Sequence, residues 1–198
     1  MTNTLLQHLH EKLEQNPCPV GSERRQAAVL LALTDESQPR LLLIRRSLHL
    51  STHPGEIALP GGKFDAEDVD LRATALREAW EEVALRSEDV RYAGMLAPLV
   101  SMADLLVTPI VGVIPAQLLL HAHAGEVAEI LYAPLAYFAE PKNLRADRIL
   151  RNGGSWFTAR FQFEHYTIWG ITASFIVELV NKFYGTDLNV ELRTPRAR

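Results

Sequence analysis

The chain has 198 residues, of which 47% are hydrophobic and 22% are charged. This length suffices for one well-buried domain and is short for two, so we expect a single globular domain with short terminal additions. The net charge of −4 gives no strong positive field, which argues against nucleic acid or an anionic membrane as a partner. Any anionic ligand must therefore be held by a local arrangement of residues.

The composition also bears on the compartment. The single cysteine, Cys18, cannot form an internal disulfide bond, which fits a reducing environment. Residues 1–16 lack the basic stretch and continuous apolar run of a secretory signal, and no apolar run approaches the roughly 20 residues that span a bilayer. We expect a cytoplasmic protein.

The first predicted element is an amphipathic helix, because leucines recur there at spacings of three and four residues. These leucines are Leu5, Leu6, Leu9 and Leu13. A turn-rich connector follows, so we assign residues 1–20 to this helix and its connector. The helix either mediates dimer contacts or caps a sheet, which leaves monomer and homodimer open.

Two apolar runs, 27–33 and 40–44, flank a polar loop and predict a pair of strands. The polar segment 47–56 is predicted to be an ordered loop that leads to a turn at Gly61 and Gly62. Residues 70–85 contain no Pro or Gly and are rich in Ala, Leu, Arg and Glu, a composition that favours a helix.

Four further segments have strand-like patterns: 91–100, 106–114, 127–132 and 157–167. Pro98 and Pro109 interrupt the first two, and a second long helical pattern covers 171–184. We therefore predict a mixed sheet with helices within a main domain of residues 21–190, followed by a tail of residues 191–198.

Three carboxylates cluster on the helix predicted at 70–85. Because each helical residue advances by about 100°, Glu78, Glu81 and Glu82 fall within an arc of roughly 100°. Like charges at this spacing repel by a few tenths of a kcal/mol per pair. A divalent cation bound by oxygen ligands, Mg²⁺ in particular, would remove that repulsion.

The alternative is a solvated acidic face on which Arg77 pairs with Glu81. The context favours a metal site, because Gly61 and Gly62 allow close backbone approach and an acidic loop precedes the helix. The opposite side of the helix is apolar and is predicted to pack against the sheet. This apolar flank comprises Ala75, Leu76, Ala79, Trp80 and Val83.

The segment resembles the signature of the Nudix hydrolases, G-x(5)-E-x(7)-R-E-U-x-E-E-x-G-U, in which U is a bulky apolar residue. Here Gly62 leads to Asp68 and then to the run REAWEEV that begins at Arg77. There are two departures. Asp68 replaces the usual Glu, with eight rather than seven residues before Arg77, and Ala84 replaces the glycine after the Glu pair.

A second signature lies just upstream and resembles that of the coenzyme A pyrophosphatases, LLxxRSxxLxxHxGExxxPGG. Residues 42–62 read LLIRRSLHLSTHPGEIALPGG. Segments 126–129, 133–135 and 168–173 are also similar to that subgroup, so the resemblance covers roughly residues 25–180.

The resemblance implies an α+β fold, an α/β/α sandwich with a mixed sheet between helices. It implies a pyrophosphohydrolase that uses Mg²⁺ or Mn²⁺ to cleave coenzyme A or its derivatives into 3′,5′-ADP and 4′-phosphopantetheine or its acyl form. Two alternatives stay open: a Nudix enzyme for ADP-ribose or dinucleotide polyphosphates, and a nucleotide-binding regulator without turnover, which Ala84 and Asp68 motivate.

The resemblance also implies roles for particular residues. Glu78 and Glu82 are the expected metal ligands, with Glu81 a further ligand or a group that orients water. Arg77 is expected to orient these carboxylates by a bidentate pair. Glu126 is a better candidate for the general base than Glu129, because it falls at a loop edge rather than inside a predicted strand.

The upstream signature contributes candidate substrate-binding residues. A guanidinium of Arg45 or Arg46 near the metal site would bind the nucleotide 3′-phosphate or the diphosphate, and Gly61 and Gly62 would let the substrate approach the backbone. His53 and Glu56 suit structural hydrogen bonds at least as well as substrate contacts. The aromatic residues of 157–169 fit a core better than an adenine-stacking site.

Overall fold

The computed structural model describes residues 4–15, 24–151 and 154–190. Cys18, most of the predicted connector and the predicted tail 191–198 lie outside these residues. The described chain forms the following helices and strands in order: α1 (Thr4–His10), β1 (Gln26–Thr34), β2 (Arg40–Arg46), β3 (Ile57–Ala58), β4 (Gly61–Lys63), α2 (Leu71–Val83), β5 (Arg91–Met95), β6 (Leu99–Val100), β7 (Leu106–Ile114), β8 (Val127–Pro134), α3 (Leu135–Ala139), β9 (Leu144–Arg151), β10 (Gly154–Phe163), β11 (Tyr166–Trp169) and α4 (Gly170–Tyr184).

The main sheet is mixed, as predicted, and its centre is β1. Strand β1 runs parallel to β7 along its whole length and antiparallel to β2, with which it shares the register pair Leu33↔Leu41. Beyond that pair β3 adds to β2 and β4 adds to β1. The end of β2 and the Gly61–Gly62 turn therefore lie beside each other at one end of the sheet.

Two hydrophobic cores cover the two faces of this sheet, and the alternation of β1 assigns its side chains to them. Ala28 and Leu30 pack with α2, whereas Leu31 and Leu33 pack with the residues of α4. The sheet thus lies between helical layers, and the predicted α/β/α sandwich is confirmed.

Helix α2 is well defined at its start. The Asp70 side chain accepts a hydrogen bond from the Ala73 N–H at 2.7 Å, which satisfies one of the unpaired donors of the first turn. At the other end Ala84 adopts the left-handed conformation, with φ 56° and ψ 31°. This is the conformation for which glycine is usually chosen at helix ends, which explains why the family pattern has glycine there.

The predicted apolar flank of α2 is only partly correct. Ala75, Ala79 and Val83 are fully buried, but Trp80 is 51% exposed and Glu82 only 2%. Glu82 follows Ala75 by seven residues, so the two side chains point in nearly the same direction after two helical turns. Because Ala75 and Ala79 pack against β1, Glu82 is buried on the same side of the helix and Trp80 faces the solvent.

The remaining elements cover the face of the main sheet opposite to α2. Strands β9, β10 and β11 form a separate antiparallel sheet, and α4 contributes Phe175, Ile176 and Leu179 to the core that it covers. Leu9 of α1 and Leu13 join this same core, so the N-terminal helix is part of the packed domain. None of the described helices is long and apolar enough to cross a membrane.

Candidate active site

The buried carboxylate of Glu82 is the centre of the site. Its Oε2 accepts the Gly61 N–H at 3.0 Å, and its Oε1 lies 3.8 Å from Nη1 of Arg46. Burial, together with the smaller effect of the charge of Glu78, raises the pKa of Glu82 to about 8, against the opposing effects of the Gly61 N–H and of Arg46. The metal-free protein therefore holds a carboxyl group that binds a proton at neutral pH.

Glu78 lies one helical turn earlier and packs directly against the glycine turn. A Cβ placed on Gly62 would lie 2.3 Å from the carboxylate carbon of Glu78, so only glycine leaves room for this carboxylate. Burial is also the main reason why the pKa of Glu78 is raised. The absence of a side chain at Gly62 therefore lets the Glu78 carboxylate lie against the turn, and the predicted role of Gly62 in substrate binding stays a prediction.

Arg77 connects the acidic loop to the acidic helix. Its Nε and Nη2 donate to the two oxygens of Asp68 at 3.0 and 3.1 Å, and Nη2 also donates to the Lys63 carbonyl. Its Nη1 donates to Glu78 at 3.0 Å and to Glu81 at 3.1 Å. Arg77 thus hydrogen-bonds to both carboxylates, and its predicted role in orienting them stays a prediction.

Asp68 is occupied by this arginine. The hydrogen bonds from Arg77 are the main reason why the pKa of Asp68 is lowered, and the Thr74 hydroxyl donates to its Oδ2 at 2.9 Å. The departure from the family pattern at this position therefore forms a buried, fully hydrogen-bonded contact that anchors the loop to α2.

A loop after β7 carries Glu126 to the site. The N–H groups of His121 and His123 donate to the carbonyls of Val83 and Glu82 at 3.0 and 2.9 Å, which docks the loop on the C-terminal end of α2. The charge of Glu126 contributes to the raised pKa of both Glu78 and Glu82. No sequence motif signals this docking, because the acceptors are backbone carbonyls that become available only where the helix ends.

The two neighbouring arginines of β2 point to opposite faces of the main sheet. Arg46 lies on the α2 side, beside Glu82. Arg45 is paired in register with Ile57 and Glu129, and Ile57 belongs to the core beneath α4. The expected guanidinium near the carboxylates is therefore that of Arg46, whereas Arg45 lies on the opposite face of the sheet with Glu129.

His53 and Glu56 contact each other within the upstream loop. The His53 Nδ1 lies 3.0 Å from Oε2 of Glu56, and the Glu56 carbonyl accepts the Arg46 N–H. These contacts hold the loop on the end of β2, and the choice between structural and substrate-binding roles for the two side chains stays a prediction.

The residues present fit a hard divalent cation. Their donors are all carboxylate oxygens, and burial raises the pKa values of the two most buried carboxyl groups, Glu78 and Glu82. In the part of the chain that the structure describes, no three His, Cys, Asp or Glu side chains are already grouped as a metal site. The Nη1 of Arg77 lies against both Glu78 and Glu81.

The fold and this loop–helix arrangement define a class of protein. A model of the NUDIX domain matches residues 24–148, which is more than half of the chain. The chain therefore belongs to the Nudix family and is a hydrolase of diphosphate bonds.

Relatives of similar length support the same assignment. The chain is 44% identical to a protein of Enterobacter sp. (strain 638) called "Uncharacterized Nudix hydrolase NudL". The alignment extends over 156 residues and covers 79% of this chain and 81% of that protein. A protein of the same name from Salmonella paratyphi B is 40% identical over 173 residues, 87% of this chain and 85% of that protein.

A solved structure supports the fold. A MutT/nudix family protein from Enterococcus faecalis superposes with a TM-score of 0.51 at 16% identity, over 86% of this chain and 64% of that chain. At this identity the similarity concerns the fold alone.

Proposed function

We propose that this Nudix hydrolase is a coenzyme A diphosphatase, which cleaves coenzyme A or its derivatives to 3′,5′-ADP and 4′-phosphopantetheine or its acyl form. The observation that carries the proposal is the contact between the two signatures. Arg46, within the segment that resembles coenzyme A pyrophosphatases, lies 3.8 Å from Glu82 of the acidic helix. The Gly61 N–H, at the end of the same segment, donates to the other oxygen of that carboxylate.

Glu78 and Glu82, with Glu81 beside them, would hold Mg²⁺ or Mn²⁺. When bound, such a cation neutralises charge on phosphoryl oxygens and lowers the pKa of a coordinated water. Arg77 keeps the carboxylates of Glu78 and Glu81 directed as its hydrogen bonds fix them. It acts through these residues as a positioning group.

The other residues bind substrate and move a proton. Arg46 supplies a positive charge for the diphosphate, and the absence of side chains at Gly61 and Gly62 lets the phosphates approach the backbone. Glu126 accepts the proton of the attacking water as general base. Its electrostatic effect on Glu78 and Glu82 supports a position close to them.

The test is a comparison of substrates with the purified protein. Coenzyme A, ADP-ribose and diadenosine tetraphosphate are incubated separately with Mg²⁺ or Mn²⁺, and the products are separated by chromatography. We expect 3′,5′-ADP from coenzyme A, with the highest kcat/KM of the three substrates.

Two outcomes would replace this proposal. A higher kcat/KM for ADP-ribose or the dinucleotide would assign the site to another nucleoside diphosphate derivative. Binding of coenzyme A without release of 3′,5′-ADP under either metal would indicate a nucleotide-binding regulator. The left-handed Ala84 does not favour the regulator, because its N–H still hydrogen-bonds to the end of α2.

A further inference from the structure

Arg45 lies in the segment that resembles the coenzyme A pyrophosphatases, at a position that the signature leaves open, and the proposed reaction does not use it. It directly follows Ile44 and precedes Arg46, and successive strand residues point to opposite faces of a sheet. Ile44 belongs to the core beneath α2, and Arg46 contacts Glu82 on that side. Arg45 therefore points to the other face, at the same end of β2.

Two residues from different parts of the fold hold Arg45 there. Oε2 of Glu129 on β8 lies 3.3 Å from the Arg45 Nε. The hydroxyl of Tyr166 on β11 donates to Oε1 of the same carboxylate at 2.7 Å. Because Tyr166 is buried and belongs to the second sheet, Glu129 is fixed from both sides and restrains the guanidinium.

The hydrogen-bonding capacity of this guanidinium is largely unused. Arginine carries five N–H donors. The Nε of Arg45 is buried and faces Glu129, and its two Nη groups make no hydrogen bond within the described residues. Its side chain is 37% exposed. A guanidinium that is anchored by a carboxylate but keeps free donors is well suited to bind a phosphate in bidentate fashion.

We propose that Arg45, positioned by Glu129 and Tyr166, binds a phosphate monoester of the substrate that is separate from the diphosphate being cleaved. The inference rests on the proposed function, since coenzyme A carries such a group on its ribose 3′ position and ADP-ribose does not. Arg45 and Arg46 are adjacent, with Cα atoms about 3.8 Å apart. Because their side chains lie on opposite faces of β2 at the same end of the strand, one ligand would have to cross this end, with its diphosphate at Arg46 and its monoester at Arg45.

A binding experiment isolates the monoester. The full chain is titrated by calorimetry with 5′-AMP, 3′,5′-ADP and 2′,5′-ADP in the presence of Mg²⁺. We expect 3′,5′-ADP to bind about tenfold more tightly than 5′-AMP, the size of effect given by a charged hydrogen bond. Arg45→Gln should abolish this preference and leave the affinity for 5′-AMP unchanged.

Two variants separate positioning from general effects. Tyr166→Phe should reduce the preference for 3′,5′-ADP, because it releases Glu129 while the charge of Arg45 stays. Arg40→Gln is the matched control on the same strand, since Arg40 also pairs with a carboxylate, Glu36, at 2.8 Å. This control should keep the full preference.

Turnover gives a second readout. Arg45→Gln should raise the KM of coenzyme A to that of 3′-dephospho-coenzyme A, so that the two substrates become equivalent, whereas Arg40→Gln should keep the difference between their KM values. Equal weakening of 3′,5′-ADP and 5′-AMP, or an unaltered preference, would overturn the inference.

The inference and the proposed function fail differently. Coenzyme A turnover that Arg45→Gln leaves untouched would remove the monoester site and keep the diphosphatase. If coenzyme A is not turned over but 3′,5′-ADP or 2′,5′-ADP binds with an Arg45-dependent preference, the monoester site stands and the diphosphatase proposal fails. The preferred isomer would then identify the ribose position whose phosphate binds to Arg45.

Discussion

Glu82 is almost completely shielded from solvent, and burial disfavours the negatively charged form of a carboxyl group because the charge is poorly solvated there. The structure offers it one backbone N–H, from Gly61, and the guanidinium of Arg46, at 3.8 Å. Its pKa of about 8 reflects this incomplete compensation. A bound divalent cation would complete the compensation of this carboxylate charge. Without the metal, the buried carboxylate destabilises the folded protein.

The first prediction concerns Glu82→Gln, which should abolish metal-dependent turnover and stabilise the metal-free protein at alkaline pH. The folded-state pKa of the Glu82 carboxyl is raised from its usual 4.5 to about 8, so the folded state binds this proton more tightly than the unfolded chain. The free energy of unfolding of the wild type should therefore fall as pH rises between these two values. The variant has no such titrating group, so its free energy of unfolding should not show this fall with pH.

Thermal unfolding of both proteins in chelator, measured across this pH interval, checks the prediction alongside a turnover assay. Circular dichroism serves as the control for an intact fold. Normal turnover in the variant would contradict the ligand role of Glu82, and parallel pH profiles would contradict its raised pKa.

The second prediction concerns Ala84, whose left-handed backbone at φ 56° is unfavourable for a residue with a Cβ. Ala84→Gly should raise the free energy of unfolding by about 1 kcal/mol and leave turnover unchanged. Chemical denaturation measures the stability. A lower stability would contradict the left-handed conformation, and a large gain in turnover would show that Ala84 limits the activity.

At the scale of elements, α2 functions through its connections to the segments around it. Arg77 ties the acidic loop to the helix through Asp68, the glycine turn packs against Glu78, and the loop before β8 docks on the last carbonyls of α2. These three connections fix the carboxylates relative to one another better than a solvated helix surface would.

The third prediction therefore concerns Arg77→Lys. A lysine cannot reproduce the bidentate contact with Asp68 and the contacts with both glutamates, so turnover or metal affinity should fall by about 10–100-fold. The metal dependence of kcat and KM measures the effect.

Arg72→Lys is the matched control on the same helix, because Arg72 lies over the Tyr92 ring at 4.7 Å and makes no contact with the carboxylates. It should retain wild-type kinetics. Equal losses in the two variants would mean that Arg77 contributes only to the stability of the helix.

At the scale of the whole molecule, the main sheet separates two cores. The core beneath α2 supports the carboxylates, and the larger core beneath α4 also includes α1 and the second sheet. The layer that carries the site can thus be probed separately from the layer that supplies much of the buried apolar area.

The fourth prediction tests this separation. Leu31 is fully buried on the α4 side, so Leu31→Ala should lower the free energy of unfolding by about 2–5 kcal/mol and retain turnover below its unfolding temperature. Leu119→Ala, at an exposed leucine, should change stability by no more than about 0.5 kcal/mol. Urea unfolding compares the two, and a similar loss in both would contradict the assignment of Leu31 to the core.

The sequence by itself determined much of this protein. Composition and periodicity predicted α2, α4 and the strands on either side of them, and the two signatures predicted the α/β/α sandwich and the acidic site, because these features depend on neighbouring residues along the chain. Arg77 and Gly62 could be assigned in this way, since each contacts residues whose spacing is visible in the signature.

Only the tertiary structure decided which side of each element faces the site. Periodicity shows which side chains of a helix or strand point in the same direction. Which of these directions becomes buried depends on segments that are far away in the sequence. For this reason Glu82 proved buried and Trp80 exposed, and Arg46 rather than Arg45 lies beside the carboxylates. The contact of Tyr166 with Glu129 joins two sheets, and no local pattern could have predicted it.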